Sequence, residues 1–172
     1  MSDEESLVRL DSDESVAQYL YRLPRDRQET HDILTRRVNM PMNVEDDNAL
    51  WLAAVERTTG VFVGEFMLRW VATEHRQGEI GGAILPAYHG RGYAREVYGE
   101  LLRLAFDTYD LHRVVGHCDG RNGASIRSLA AAGLEQEAHF VENEWVKGTW
   151  TDEVVLALRQ SSWRLRTPSA PS

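Results

Sequence analysis

The spacing of apolar residues changes period along this chain, and each change marks an element. Over Tyr93–Tyr109, Ala94, Val97, Tyr98, Leu101, Leu102 and Ala105 recur at i, i+3, i+4 and i+7, with Arg95, Glu96, Arg103 and Asp107 on the other side. That spacing predicts a helix with one buried stripe. Upstream, Ser12–Ser15 can cap a short helix through Tyr21, and Ile33, Leu34 and Val38 mark a second helix over Arg25–Met40, broken at Met40-Pro-Met-Asn43. Strand-like runs follow at Leu50–Glu56, Val61–Val71 and Gly78–Leu85. A turn at Thr59-Gly60 joins the first two, and Pro86, which has no amide proton for a ladder, ends the third. Arg113–Cys118 reads as a short strand; Asn122 can cap a helix to Ala132, and Gly133 supplies its stop. Glu135–Val146 and Thr149–Leu158 read as an antiparallel pair around Lys147-Gly148, with Val154, Leu156 and Leu158 alternating with Val155 and Ala157. Two helices, three strands, helix, strand, helix and two strands predict an α+β (α/β layered) fold with a largely antiparallel sheet.

The 172 residues suit one domain, taken as 1–163, with 164–172 as a disordered tail ending in the proline-rich Thr167–Ser172. No window approaches the ~20 apolar residues of a membrane span. The start, Met1-Ser-Asp-Glu-Glu-Ser6, lacks the marks of a secretory signal, so a cytoplasmic location is expected, and the lone Cys118 agrees with a reducing compartment. A net charge of −8 argues against nucleic acid as a partner. Within that acidic body Arg91, Arg95, Arg113, Arg121 and Arg127 form a basic middle, which suits an anionic cofactor and a cationic substrate. The six histidines lack ligand spacing, so no metal is expected, and Cys118 suits a small apolar role better than a nucleophilic one.

The chemistry concentrates in Ile84-Leu-Pro-Ala-Tyr-His-Gly-Arg-Gly-Tyr-Ala-Arg-Glu96. Here a strand ends, Gly90 and Gly92 let the backbone turn sharply, and a long helix begins. Unpaired amides at that helix start form a seat for phosphate or pyrophosphate, with Arg91 and Arg95 as counter-charge. A dinucleotide fingerprint fails for want of a third glycine and a repeating βαβ pattern; a P-loop fails for want of Gly-Lys-Ser/Thr.

Residues 78–134 resemble the core of the Gcn5-related N-acetyltransferase (GNAT) superfamily. His89-Gly-Arg-Gly-Tyr-Ala94 is similar to its pyrophosphate motif, Gln/Arg-x-x-Gly-x-Gly/Ala, with His89 in place of the usual Gln or Arg. Leu111–Val115, Asn122-Gly-Ala-Ser-Ile-Arg-Ser-Leu-Ala-Ala-Ala-Gly-Leu134 and Trp150-x-Asp152…Trp163 resemble the branch of ribosomal-protein alanine and serine N-terminal acetyltransferases. The likeness runs from about Arg25 to Trp163 and implies a twisted, mixed, mostly antiparallel sheet flanked by helices. Leu7–Leu20 aligns only with the end of the family's first helix, so the N-terminal strand is missing or shortened, or the true start lies upstream. A missing edge strand would expose unpaired backbone to a partner.

The resemblance implies acetyl-CoA as cofactor, with the Gly90–Ala94 amides (Gly90, Arg91, Gly92, Tyr93, Ala94) and His89 at the pyrophosphate. The end of strand 78–85 would pair with the pantetheine arm and offer an amide near Ile84 or Leu85 to the thioester oxygen, where negative charge grows. Asn122 would bond the pantetheine or adjacent backbone. Many members protonate the leaving thiolate with a tyrosine seven residues past the asparagine; that position is Leu129 here. Ser125, four residues earlier on the same face, is the substitute, or else it only satisfies backbone in the first helical turn. Glu79 is the leading candidate base, with Glu65, Glu144 and His117 as alternatives. The implied reaction is acetyl transfer to a primary amine, of a protein N-terminus or a small molecule such as a polyamine or aminoglycoside, by direct attack in a ternary complex. A homodimer is implied as well. The rival from another class is a catalytically silent acyl-CoA-binding or regulatory module.

Overall fold

The computed structural model describes residues 3–41 and 44–166. Its sheet has six strands, β1 Ala49–Val55, β2 Phe62–Ala72, β3 Gln77–Ile84, β4 Arg113–Asp119, β5 Glu135–Val146 and β6 Thr149–Arg159, in the order β1-β2-β3-β4-β6-β5. Every neighbouring pair is antiparallel except β3 and β4. These two run parallel and pair only through Gln77–Glu79 against Arg113–Val115; beyond that they separate, each keeping its other neighbour. The sheet is therefore split at its centre. Among the described residues no strand precedes Ala49, and β1 stands at one end of the strand order.

Helix α4 (Tyr93–Arg103), extended by one wider turn over Leu104–Thr108, buries the predicted stripe of Tyr98, Leu101, Leu102 and Ala105. With α5 (Gly123–Ala132) it covers one face of the sheet, where Phe66, Leu68, Ile80 and Val114 form the main core. The opposite face meets α1 (Asp3–Asp11), α2 (Glu14–Ala17) and α3 (Arg27–Val38): Leu7, Leu10 and Leu34 pack with Phe62, Ala83 and Leu85. Ile84 joins the first core while its neighbours Ala83 and Leu85 join the second, the alternation of a strand covered on both sides.

The N-terminal expectations needed revision. Three helices stand where two were expected, because Leu7 and Leu10, three apart, bury an additional turn. The helix expected to reach Tyr21 stops at Ala17; its cap is Asp13, whose Oδ1 accepts from the amides of Ser15 (2.9 Å) and Val16 (3.1 Å). The next begins at Arg27, not Arg25, because Asp26 and Glu29 form a reciprocal capping box. At the other end, Arg164–Arg166 are not tail but the last turn of α6 (Gln160–Arg166). Trp163 donates to Asp107 (2.8 Å) with its ring beside Phe106, and Arg166 reaches the Gly133 carbonyl and Glu135. Thr167–Ser172 lie outside the described residues.

Candidate active site

The split exposes main-chain groups that a continuous sheet would consume. The Leu85 amide donates to the Val63 carbonyl at 2.9 Å. Hydrogen-bonding direction alternates along an antiparallel strand, so Leu85, Ala83 and Gly81 bond to β2, while Ile84 and Gly82 aim their amides and carbonyls toward β4. On β4 the same parity follows from Gly120, whose amide donates to Asp152 at 2.8 Å: Cys118 and Gly116 face β6, and His117 turns its main chain into the split. These are the donors and acceptors that an extended, amide-bearing chain would take. Of the two amides expected near the thioester, Leu85's is committed to β2, a correction; Ile84's faces the split.

Beyond Ile84, a short 3-10 turn (Pro86–Tyr88) leads into the glycine turn. His89 Nε2 lies 2.8 Å from the Ile84 carbonyl. A carbonyl only accepts, so Nε2 carries the proton, and His89 ties the turn to the strand end. Gly90 (φ 73°) and Gly92 (φ 83°) are left-handed, and Gly92 caps α4 with no side-chain acceptor for the first amides of the helix. Those amides are the donors that a diphosphate would take. The Tyr93 hydroxyl donates to Glu56 on the β1–β2 turn, and its ring sits edge-on to Tyr88. Donors from Thr59 and Tyr93 hold the Glu56 carboxyl below the usual carboxylate range. Glu56 went unnoticed in the sequence because the contact spans 37 positions. Arg91 is exposed, its guanidinium 5.5 Å above the Tyr88 ring.

On the α5 side, Asn122 Oδ1 accepts from the Ser125 amide at 3.0 Å, the cap that its sequence position predicted. The Ser125 hydroxyl turns toward the sheet and accepts from the Cys118 thiol at 3.3 Å. Burial pushes the Cys118 thiol up, which keeps it protonated and unreactive. Leu129, at the family's tyrosine position, is buried over Gly116.

The opposite face holds the candidate bases. Glu79 is paired with Arg69 where β3 and β4 still run together, five residues and about 16 Å from Ile84 at the strand rise. Glu65 is locked to Arg37, whose guanidinium lies 3.4 Å from the Trp51 ring centroid; burial pushes the Glu65 carboxyl up against that attraction. His117 stands at the open end with one ring nitrogen engaged: its Nδ1 lies 2.7 Å from Glu153 Oε1, and Asn143 Nδ2 donates to the other Glu153 oxygen at 2.9 Å. Glu153 was not among the residues expected at the site. Tyr21 feels this mouth, its phenol pushed up to about 12 by partial burial and by the charges of Glu153, Glu144 and Asp119. Burial acts to raise the Asp119 carboxyl, but hydrogen bonds from Arg121 prevail and hold it low, so Arg121 is folded onto Asp119. Lys147 Nζ donates to the carbonyls of Ala17 and Gln18, tying the β5–β6 turn to the N-terminal helices. Among the described residues no cluster of three metal-ligating side chains occurs, and no helix is long and apolar enough to cross a membrane.

Comparison with known proteins agrees with this geometry. A family model described as an acetyltransferase (GNAT) domain matches residues 1–135. An uncharacterized N-acetyltransferase of Bacillus subtilis is 28% identical over 117 residues, 68% of each chain. The spermidine N(1)-acetyltransferase of Vibrio cholerae is 26% identical over 121 residues, 70% of each. Among solved structures, a GNAT-family acetyltransferase from Bacillus anthracis superposes with a TM-score of 0.82 at 23% identity, over 92% of this chain and 90% of that one. The Vibrio cholerae spermidine N-acetyltransferase in complex with CoA and spermine superposes with a TM-score of 0.80 at 20% identity, over 94% and 92%. With a split sheet, a glycine turn at a helix start and a family match over most of its length, the chain belongs to the GNAT family of acetyl-CoA-dependent N-acetyltransferases.

Proposed function

We propose that this enzyme acetylates a small cationic primary amine of the polyamine class by direct attack in a ternary complex. One observation carries the acceptor: Glu153 lies against His117 at the open end of the split, and the charges of Glu153 and Glu144 both act on Tyr21, in a protein of net charge −8. Charge of one sign in a cleft concentrates a ligand of the other. The likeness to the Vibrio cholerae spermidine N-acetyltransferase, in sequence and in fold, supports the reading. A protein N-terminus, the acceptor of the ribosomal-protein branch, carries one ammonium and makes less use of several carboxylates.

In this reading acetyl-CoA supplies the activated acetyl thioester. The Tyr93 and Ala94 amides, aligned by Gly90 and Gly92, hold its diphosphate, and the main-chain groups of Gly82, Ile84 and His117 hold its extended arm. The Ile84 amide faces the thioester oxygen; one such donor contributes about 3–4 kcal/mol as charge develops there. His117, oriented by Glu153, takes the ammonium proton through Nε2. The Ser125 hydroxyl, placed by the first turn of α5, donates toward the departing sulfur. The test is release of free thiol from acetyl-CoA with spermidine, putrescine and short peptides beginning with alanine or serine. Polyamine turnover is expected, with His117→Gln lowering it about 10²–10⁴-fold at neutral pH. Turnover confined to the peptides would overturn the acceptor, and calorimetric CoA binding with no turnover on any amine would leave the silent module.

A further inference from the structure

Strand β5 loses register with β6 next to His117, and the irregularity is built from specific contacts. Phe140 stands opposite Glu153 and Glu144 opposite Thr151, so β5 carries extra residues there, the mark of a bulge. Glu142, at φ 48°, takes the left-handed backbone that a residue with a Cβ rarely adopts. Asp152, across from the bulge, pins it. One of its carboxylate oxygens accepts from the Glu142 amide at 3.0 Å, and His139 Nε2 lies 2.8 Å from the other. The amide first, and His139 after it, hold the Asp152 carboxyl below the usual carboxylate range, so it remains an acceptor at neutral pH.

The bulge changes where Asn143 points. Side chains alternate between the faces of a strand, so Phe140 and Glu144 share the face of Glu153 and Thr151. An unbroken strand would turn Asn143 to the other face. The left-handed residue before it brings it back: Asn143 Nδ2 donates to Glu153 at 2.9 Å and to Glu144 at 3.3 Å. One amide, with two hydrogens, thus bridges two carboxylates that would otherwise repel. The other Glu153 oxygen lies 2.7 Å from His117 Nδ1. A carboxylate only accepts, so it keeps the proton of the neutral ring on Nδ1 and leaves Nε2 with a lone pair.

We propose that Asn143 is a positioning residue: presented by the β5 bulge, it locks the Glu153 carboxylate in the orientation that sets the His117 tautomer, and holds Glu144 beside it. The role rests on the reading of His117 as the base. In that step an ammonium proton passes to Nε2, the freed lone pair forms the bond to the acetyl carbon, and the C–S bond breaks. The thiolate takes a proton through Ser125, and His117 returns its own to solvent. Nε2 can accept only while the ring proton sits on Nδ1, so an unheld Glu153 weakens the base without altering the seat of CoA. The other charged and titratable groups on this side are Glu144 on β5, Asp119 on β4 with Arg121 folded onto it, Lys147 on the β5–β6 turn, and the Tyr21 phenol from the segment after α2.

The test follows the His117 ring nitrogens by nitrogen NMR in the full-length protein, assigned by the signals lost in His117→Gln. Steady-state kinetics with spermidine and calorimetric titration with CoA accompany it. Wild type should show the neutral ring protonated on Nδ1. Asn143→Ala should let the Nε2-protonated form rise to a comparable share and lower kcat about tenfold, part of the 10²-fold or more that a general base supplies, with the CoA Kd within about twofold. Asn143→Asp adds a carboxylate beside Glu153 and favours the imidazolium, so the acid limb of kcat/KM should move up by about 0.5–1 pH unit. Asp152→Ala releases the bulge and should reproduce the tautomer change of Asn143→Ala, and the double variant should be no worse than either single one. An unchanged tautomer in Asn143→Ala overturns the proposal, whether or not turnover falls, and so do losses that add in the double variant. Failure of the base reading looks different: His117→Gln then keeps its turnover, and the tautomer alone decides the role of Asn143.

Discussion

Replacing Gly92 by alanine isolates the conformational term at the glycine turn. Gly92 sits at φ 83°, and a Cβ built on it meets nothing within 4 Å, so the substitution adds strain without a clash. An L-residue held in the left-handed region costs roughly 1–2 kcal/mol. If the turn keeps its shape in the free enzyme, that cost falls on folding, and the thermal midpoint drops about 2–8 °C, at 2–4 °C per kcal/mol for a chain of this size. If the turn relaxes, the cost appears on binding, when the amides must be realigned, and the Kd for CoA rises about 5–30-fold. The two losses together should reach about 1–2 kcal/mol, measured by urea denaturation and calorimetric titration with CoA. Gly99→Ala is the opposite control: Gly99 lies inside α4 with open space around it and no positive φ, so alanine should stabilise by about 0.5–1 kcal/mol. Gly92→Asn should fall between wild type and alanine, since asparagine tolerates this region. A Gly92→Ala enzyme with both an unaltered urea midpoint and an unaltered CoA Kd would refute the reasoning.

Further outcomes follow from the same contacts. Ser125→Ala should lower turnover about 10²-fold while CoA affinity stays within twofold, read from steady-state kinetics and calorimetry, because the Asn122 cap uses the Ser125 amide and not its hydroxyl. Tyr21 should ionise near 12, seen as the phenolate absorbance lost in Tyr21→Phe. Its folded value is raised above the ordinary 10, so its contribution to stability is complete below pH 10 and fades as pH rises through 12; Glu144→Gln should move its titration back toward 10. Arg37→Met leaves the Glu65 carboxylate buried without its partner and should destabilise by about 3–5 kcal/mol, with stability partly recovered on acidification because protonating Glu65 relieves the buried charge.

Local signals determined most of the architecture from sequence. Period 3.6 over Tyr93–Tyr109, alternation near the C-terminus, and the stops at Pro86 and Gly133 each depend on residues within a few positions, so the elements and their order were legible. The glycine turn was legible for the same reason: Gly90 and Gly92 dictate the left-handed backbone wherever the chain goes, and Asn122 carries its own capping geometry. Sequence also showed Leu129 where a tyrosine is usual. Only the tertiary structure decided which groups at the site are free. Whether the Leu85 or the Ile84 amide faces the split depends on hydrogen-bond parity with β2, and Glu79 was set aside because folding brings Arg69 beside it. His117 meets Glu153 from 36 positions away, and Glu56 meets Tyr93 from 37. Such pairings exist only once strands choose partners and register, which no short window of residues encodes.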